Sequence, residues 1–138
     1  MFYFIRFLFV LMFGTIATAQ TESGTITIEI LNIDTDDGQM LIGLYDSSDN
    51  WLKTPYQGEF GAIKDGKCTV VFKDIPVGIY AISTFHDEDK DGELDTFLGI
   101  PTEDTGSSND APAKFGPPKW EAAKFEVKEG MLKQVINL

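Results

Sequence analysis

Apolar residues in this chain recur with a period of two in several short runs, and outside the N-terminal segment no run sustains a helical period. Ile26, Ile28 and Ile30 alternate with Thr25, Thr27 and Glu29, and Met40, Ile42 and Leu44 repeat the pattern. Side chains on a strand point alternately to opposite faces, so each run buries one face and wets the other. Asp34-Thr35-Asp36-Asp37-Gly38 lies between the two runs, and this turn chemistry predicts an antiparallel hairpin. Lys64-Asp65-Gly66-Lys67 sets a short run at 60–63 against the strand 68–72, again with a hairpin signal. The segment 74–78 connects to a strand at 79–85, where Tyr80, Ile82 and Thr84 share a face that His86 inherits by parity. A brief apolar return at 94–100 precedes a long, low-periodicity segment at 101–122. Two short strands, 124–127 and 132–138, follow about the Glu129-Gly130 turn. Six or seven short strands at this spacing predict an all-β fold, a single antiparallel β-sandwich with a long loop after an acidic turn. The pattern offers no helices to cover a parallel sheet.

Residues 1–19 stand apart from that pattern. Arg6 precedes an apolar run at 7–13 too short to cross a bilayer, and Ala17-Thr18-Ala19 has the small-x-small character of a cleavage site. The expectation is a signal peptide over 1–19, cleaved before Gln20, with one domain over 20–138, no later membrane span, and a secreted or periplasmic location. The formal charge is −11, and it becomes more negative when Arg6, the sole arginine, is removed. A surface this acidic disfavours nucleic acid and anionic membranes as partners, because binding to phosphates draws on basic residues. It is compatible with divalent cations, and equally with plain solubility. Cys68 is the only cysteine, so no internal disulfide forms, and its place in an apolar run predicts a small buried core residue.

The densest chemistry lies in His86-Asp87-Glu88-Asp89-Lys90-Asp91-Gly92-Glu93-Leu94-Asp95. This is D-x-D-x-D-G spacing: Asp87, Asp89 and Asp91 supply carboxylates at positions one, three and five, and Gly92 allows the sharp reversal at six. The backbone carbonyl of Glu93 falls at seven, and Asp95 at nine binds directly or through a water. Hard oxygen donors of this kind suit Ca²⁺, and less well Mg²⁺ or Mn²⁺. Position twelve, where a bidentate carboxylate normally completes such a loop, is Leu98, and no helix follows. Glu103 or Asp104 is a candidate replacement; without one, affinity belongs at about 10⁻⁴–10⁻³ M. The alternative is an ordinary solvated turn. Against it, four aspartates with Lys90 as their only basic neighbour incur repulsion that a plain turn need not carry. His86 is the only histidine, and no G-x-S-x-G or Gly-rich phosphate loop accompanies it. No catalytic residue and no enzymatic activity are expected, and His86 is expected to hold the turn by a hydrogen bond.

The run Ile75-Pro76-Val77-Gly78-Ile79-Tyr80-Ala81-Ile82-Ser83 resembles the L-P-x-G-x-Y strand of prealbumin-like and carboxypeptidase-regulatory-like β-sandwiches. Tyr80 to Asp95, then Phe97-Leu98-Gly99-Ile100-Pro101, Ser108-Asn109 and Phe115-Gly116-Pro117-Pro118, resemble more closely the bacterial exported family catalogued as domain of unknown function 2141. That resemblance implies a secreted or periplasmic β-sandwich and carries no established activity. Two roles fit these features. One is an exported module with a structural Ca²⁺ at the acidic turn, its long loop presenting Phe115 and Trp120 to a protein. The other is a glycan- or cell-envelope-binding domain using the loop aromatics Trp51, Tyr56, Phe115 and Trp120, unless those rings plug the ends of the sandwich.

Overall fold

The computed structural model describes residues 17–138. The expected signal peptide therefore lies almost wholly outside the described residues, and residues 17–19 are exposed and irregular. The strands are β1 (Ser23–Leu31), β2 (Gln39–Tyr45), β3 (Gln57–Gly61), β4 (Cys68–Pro76), β5 (Gly78–Asp87), β6 (Thr96–Phe97), β7 (Ile100–Pro101), β8 (Thr105–Ser107), β9 (Phe125–Val127) and β10 (Gly130–Asn137). One turn of helix, α1 (Trp120–Ala123), and a 3₁₀ turn at Ser108–Asp110 complete the described elements.

The all-β prediction holds, with the strands divided between two main sheets. One has the order β10-β1-β4; the other runs β3-β2-β5-β8, with β9 pairing the start of β5. Alternation does what the sequence pattern requires: β1 and β2 bury every second residue. Ile26, Ile28, Ile30, Met40, Ile42, Leu44, Phe72, Ile82 and Ile136 come from both sheets and join one buried cluster. Each fully buried aliphatic or Phe side chain contributes about 1.5–3 kcal/mol, set against the entropy of ordering the chain.

The pairing of strands differs from the hairpins that local turn chemistry predicts. β1 and β2 do not pair with each other: β1 lies between β10 and β4, and β2 lies between β3 and β5. The Asp34–Gly38 stretch therefore carries the chain from one sheet to the other, because each strand's apolar face is buried best against the opposite sheet. The Asp65-Gly66 turn forms as expected, with Lys64 and Lys67 exchanging backbone hydrogen bonds at 2.9 and 3.1 Å. Its pairing ends at that single bridge, and β3 and β4 then enter different sheets. β10 runs parallel to β1, an exception to the antiparallel rule that follows from β9 and β10 lying in different sheets. The segment at 101–122 is less irregular than its sequence implies, since it contains β8, the 3₁₀ turn and the start of α1. Ser108 organises that region: its buried hydroxyl accepts from the Ile82 amide at 2.9 Å and donates to the Ala123 carbonyl at 2.6 Å.

Candidate metal centre

β5 carries the chain to the end of its sheet, where parity places His86 on the inward face as the sequence predicts. His86 and Asp87 are both completely buried. The His86 ring lies against the β1–β2 connection, with Nε2 2.6 Å from the Asp37 carbonyl. A carbonyl only accepts, so Nε2 carries a proton and donates. Among the described residues Nδ1 has no hydrogen-bond partner, and a carboxylate oxygen of exposed Glu88 is 3.9 Å away. His86 thus fastens the neighbouring connection to β5 rather than capping the acidic turn itself. Gly38 completes this contact, because a Cβ there would overlap the backbone of Asp87 and Glu88, and its φ of +75° favours glycine.

Asp87 starts the acidic loop and folds it back. Its Oδ2 accepts from the Gln39 side chain at 2.8 Å and the Gly92 amide at 3.0 Å, while Oδ1 accepts from the Asp91 amide at 3.2 Å. Lys90 and Gly92 adopt positive φ, which reverses the chain so that successive carboxylates converge. Further Asx contacts tighten the turn: Asp89 accepts from the Asp91 amide at 3.3 Å and Asp91 from the Glu93 amide at 2.8 Å.

Glu103 closes the loop from outside it. This nearly buried carboxylate accepts from the Glu88 amide at 3.2 Å and the Asp95 amide at 3.0 Å, clamping both ends of the turn. Carboxylate oxygens of Asp87, Asp89 and Asp91 lie within 4.8 Å of one another, and so do those of Asp89, Asp95 and Glu103. Asp89 is common to both groups. Four carboxylates therefore crowd around that of Asp89. Among the described residues no lysine pairs with any of them; the lysine ion pairs lie at Glu29, Glu121 and Glu126.

The crowding is visible in the acidities. Burial, the hydrogen bond with Asp87 and the charges of Asp91 and Asp95 push Asp89 up to about 6. Asp95 is also raised, first by burial and then by the charges of Glu103 and Asp91. Burial pushes Asp87 upward too, but hydrogen bonds from Gln39, Gly92, Asp89 and Asp91 together outweigh it and hold its pKa below the ordinary value. A hard divalent cation is the chemical complement of such a cluster, since it replaces the repulsion with attraction to every oxygen.

The predicted residues Asp87, Asp89, Asp91 and Asp95 are thus brought together, and Glu103 stands with them in place of a position-twelve ligand. The Glu93 side chain is exposed and outside both groups; its backbone carbonyl is the atom that the spacing nominates. Asp104 is exposed and belongs to neither group, and its carbonyl instead accepts from the His86 amide at 2.9 Å. The loop aromatics divide. Trp51 is buried, donates from its indole to the Pro118 carbonyl at 2.8 Å, and meets Tyr45 and Trp120 edge-on at 5.0 and 6.0 Å. These tryptophans plug one side of the sheet, while Tyr56 is partly exposed and Phe115 fully so.

Among known proteins, a family model described as "Uncharacterized protein conserved in bacteria (DUF2141)" matches residues 28–134. No curated protein and no solved structure matches the chain.

Proposed function

This chain belongs to that family of uncharacterized bacterial proteins, which supplies no activity, and we propose from the site alone that it is a non-enzymatic, exported module binding one divalent cation structurally. The cation is Ca²⁺, held by Asp87, Asp89, Asp91, Asp95 and Glu103, with the Glu93 carbonyl as a further donor. One observation carries the reading: two groups of three carboxylates, each within 4.8 Å, share Asp89 and have no lysine partner among the described residues. Oxygen-only donors favour Ca²⁺ over softer metals, and the irregular ring of ligands suits its tolerant coordination better than the strict octahedron of Mg²⁺. Its role is to rigidify the end of β5 and the segment that leaves it. Export rests on the sequence character of residues 1–19 and on the signal-like site before Gln20.

Thermal melting during a calcium titration tests the cation. Millimolar Ca²⁺ is expected to raise the midpoint of the wild type and to leave Asp89→Asn unmoved; identical responses would sink the proposal. N-terminal sequencing of protein recovered from the natural host tests export, and a mature terminus at Gln20 is the expected result.

A further inference from the structure

β10 is the edge of its sheet. Its one neighbour there is β1, which it follows without a shift of register from Gly24 opposite Gly130 to Leu31 opposite Asn137. Backbone groups of successive residues in a strand point to opposite sides. The Leu138 amide donates toward β1, to the Leu31 carbonyl at 3.1 Å, and the Asn137 amide donates the other way, to the Asp110 carboxylate at 2.9 Å. By that parity the amides and carbonyls of Met131, Lys133 and Val135 face away from β1. Among the described residues no strand pairs with them. Asp110 takes both the backbone and the side-chain amide of Asn137, and so ends the open edge at Val135.

The other sheet edges carry the usual defences against pairing, which are shortness, bulges and proline. β4 shifts register against β1 next to Asp74, whose φ is +55°, and ends at Pro76. β3 has five residues, two of them glycine, and β8 has three. β10 has eight residues, an unbroken ladder and no proline. Its one charged residue, Lys133, is tied to Glu29 on β1, so the ammonium lies back over its own sheet instead of guarding the edge. On either side of it Met131 is 85% exposed and Val135 39%.

We propose that a second copy of this chain occupies this edge, joined β10 to β10 antiparallel about a twofold axis at Lys133. In that register every outward amide meets an outward carbonyl, and Met131 of one copy covers Val135 of the other on both sides of the axis. Charge favours a copy at this place although the whole chain carries −11. The ion pairs Lys133–Glu29 and Lys128–Glu126 leave the edge near neutral, so two copies approach here without the repulsion of their acidic surfaces. The two facing lysines are drawn apart, each toward its own Glu29. Pairing over 131–135 buries less than the roughly 1,200 Å² at which stable interfaces begin, so the dimer is weak and reversible. Assembly stops at two, because the pairing uses β10 of both copies and leaves only the bulged β4 edges outermost.

Sedimentation velocity from about 10 µM to about 1 mM tests this. The average mass is expected to rise with concentration toward twice that of the monomer. Val135→Pro removes an outward amide and no bond to β1, so it should abolish association while the melting midpoint stays close to that of the wild type. Val135→Lys, which keeps the backbone intact, should weaken association about tenfold or more. Glu29→Gln frees Lys133 to stand at the edge and should also weaken association, whereas simple relief of net negative charge would strengthen it. A monomer at every concentration overturns the proposal. A dimer unaffected by Val135→Lys shows that β10 is not the contact. Stronger association in Glu29→Gln refutes the register about Lys133, and growth beyond two copies refutes the closed twofold pairing.

Discussion

Replacing Glu103 separates its two roles, as a clamp on the loop and as a cation ligand. In the metal-free protein its carboxylate accepts from two amides, those of Glu88 and Asp95. Hydrogen bonds to a charged acceptor are worth about 1.5–3 kcal/mol each, and the donors' partial access to water argues for the lower end. Glu103→Ala should therefore cost about 2–3 kcal/mol in EDTA. For a domain of this size that lowers the melting midpoint by roughly 6–15 °C. Glu103→Gln keeps one acceptor oxygen and removes one of the charges that, after burial, raise Asp95, so its midpoint in EDTA should fall much less. The two variants should behave alike toward the metal. With affinity near 10⁻⁴–10⁻³ M, Ca²⁺ at about 10 mM stabilises the wild type by about 1.4–2.7 kcal/mol. Both variants should lose most of that gain. Differential scanning calorimetry with and without Ca²⁺ measures each of these quantities. A wild-type calcium shift retained in Glu103→Gln would remove Glu103 from the coordination shell. An unchanged midpoint for Glu103→Ala in EDTA would refute the clamp.

Proton competition should make the site pH-dependent. Asp89, pushed up to about 6, must lose its proton to bind metal, so calcium affinity measured by titration calorimetry should fall as pH drops through about 6. The sign for the metal-free fold is opposite to the usual aspartate case. A raised folded pKa makes the Asp89 contribution most favourable at low pH, and stability is lost as pH rises between the unfolded value of about 3.9 and about 6. Asp87, with its lowered folded pKa, contributes stability above about 3.9 that is lost on further acidification. Urea melts in EDTA across that range should show the Asp89 component vanish in Asp89→Asn. Midway along β5, Ser108→Ala should destabilise by about 2–3 kcal/mol, because the Ile82 amide and Ala123 carbonyl lose a buried partner. A denaturation midpoint equal to that of the wild type would refute this role.

The legible part of the site was the part encoded within a few residues. D-x-D-x-D-G spacing converges Asp87, Asp89 and Asp91 because short-range Asx contacts and two positive-φ residues set the turn locally. Glu103 stood in the sequence as one of two equal candidates with Asp104. What separated them was a pair of amides, one from each end of the loop, reached by the Glu103 carboxylate. Ser108 gave no signal beyond its place in the family resemblance, since its partners Ile82 and Ala123 lie far away in the chain. The sequence favours Trp51 as a plug over a platform without naming its partner, because the Pro118 carbonyl that accepts its indole proton lies far along the chain.

By itself the sequence determined that the fold is all-β, which residues of β1, β2 and β5 share a face, and where acidic oxygens gather. Those properties follow from the two-residue period of a strand and from turn stereochemistry, both of which act over a handful of bonds. Only the tertiary structure decided that β1 and β2 lie in opposite sheets, that β10 runs parallel to β1, that Glu103 closes the acidic loop, and that β6 and β7 pair with each other outside both main sheets. The physical reason is common to all four. Strand partners and distant ligands are chosen by burial of whole faces against one another, and no window of neighbouring residues contains that choice.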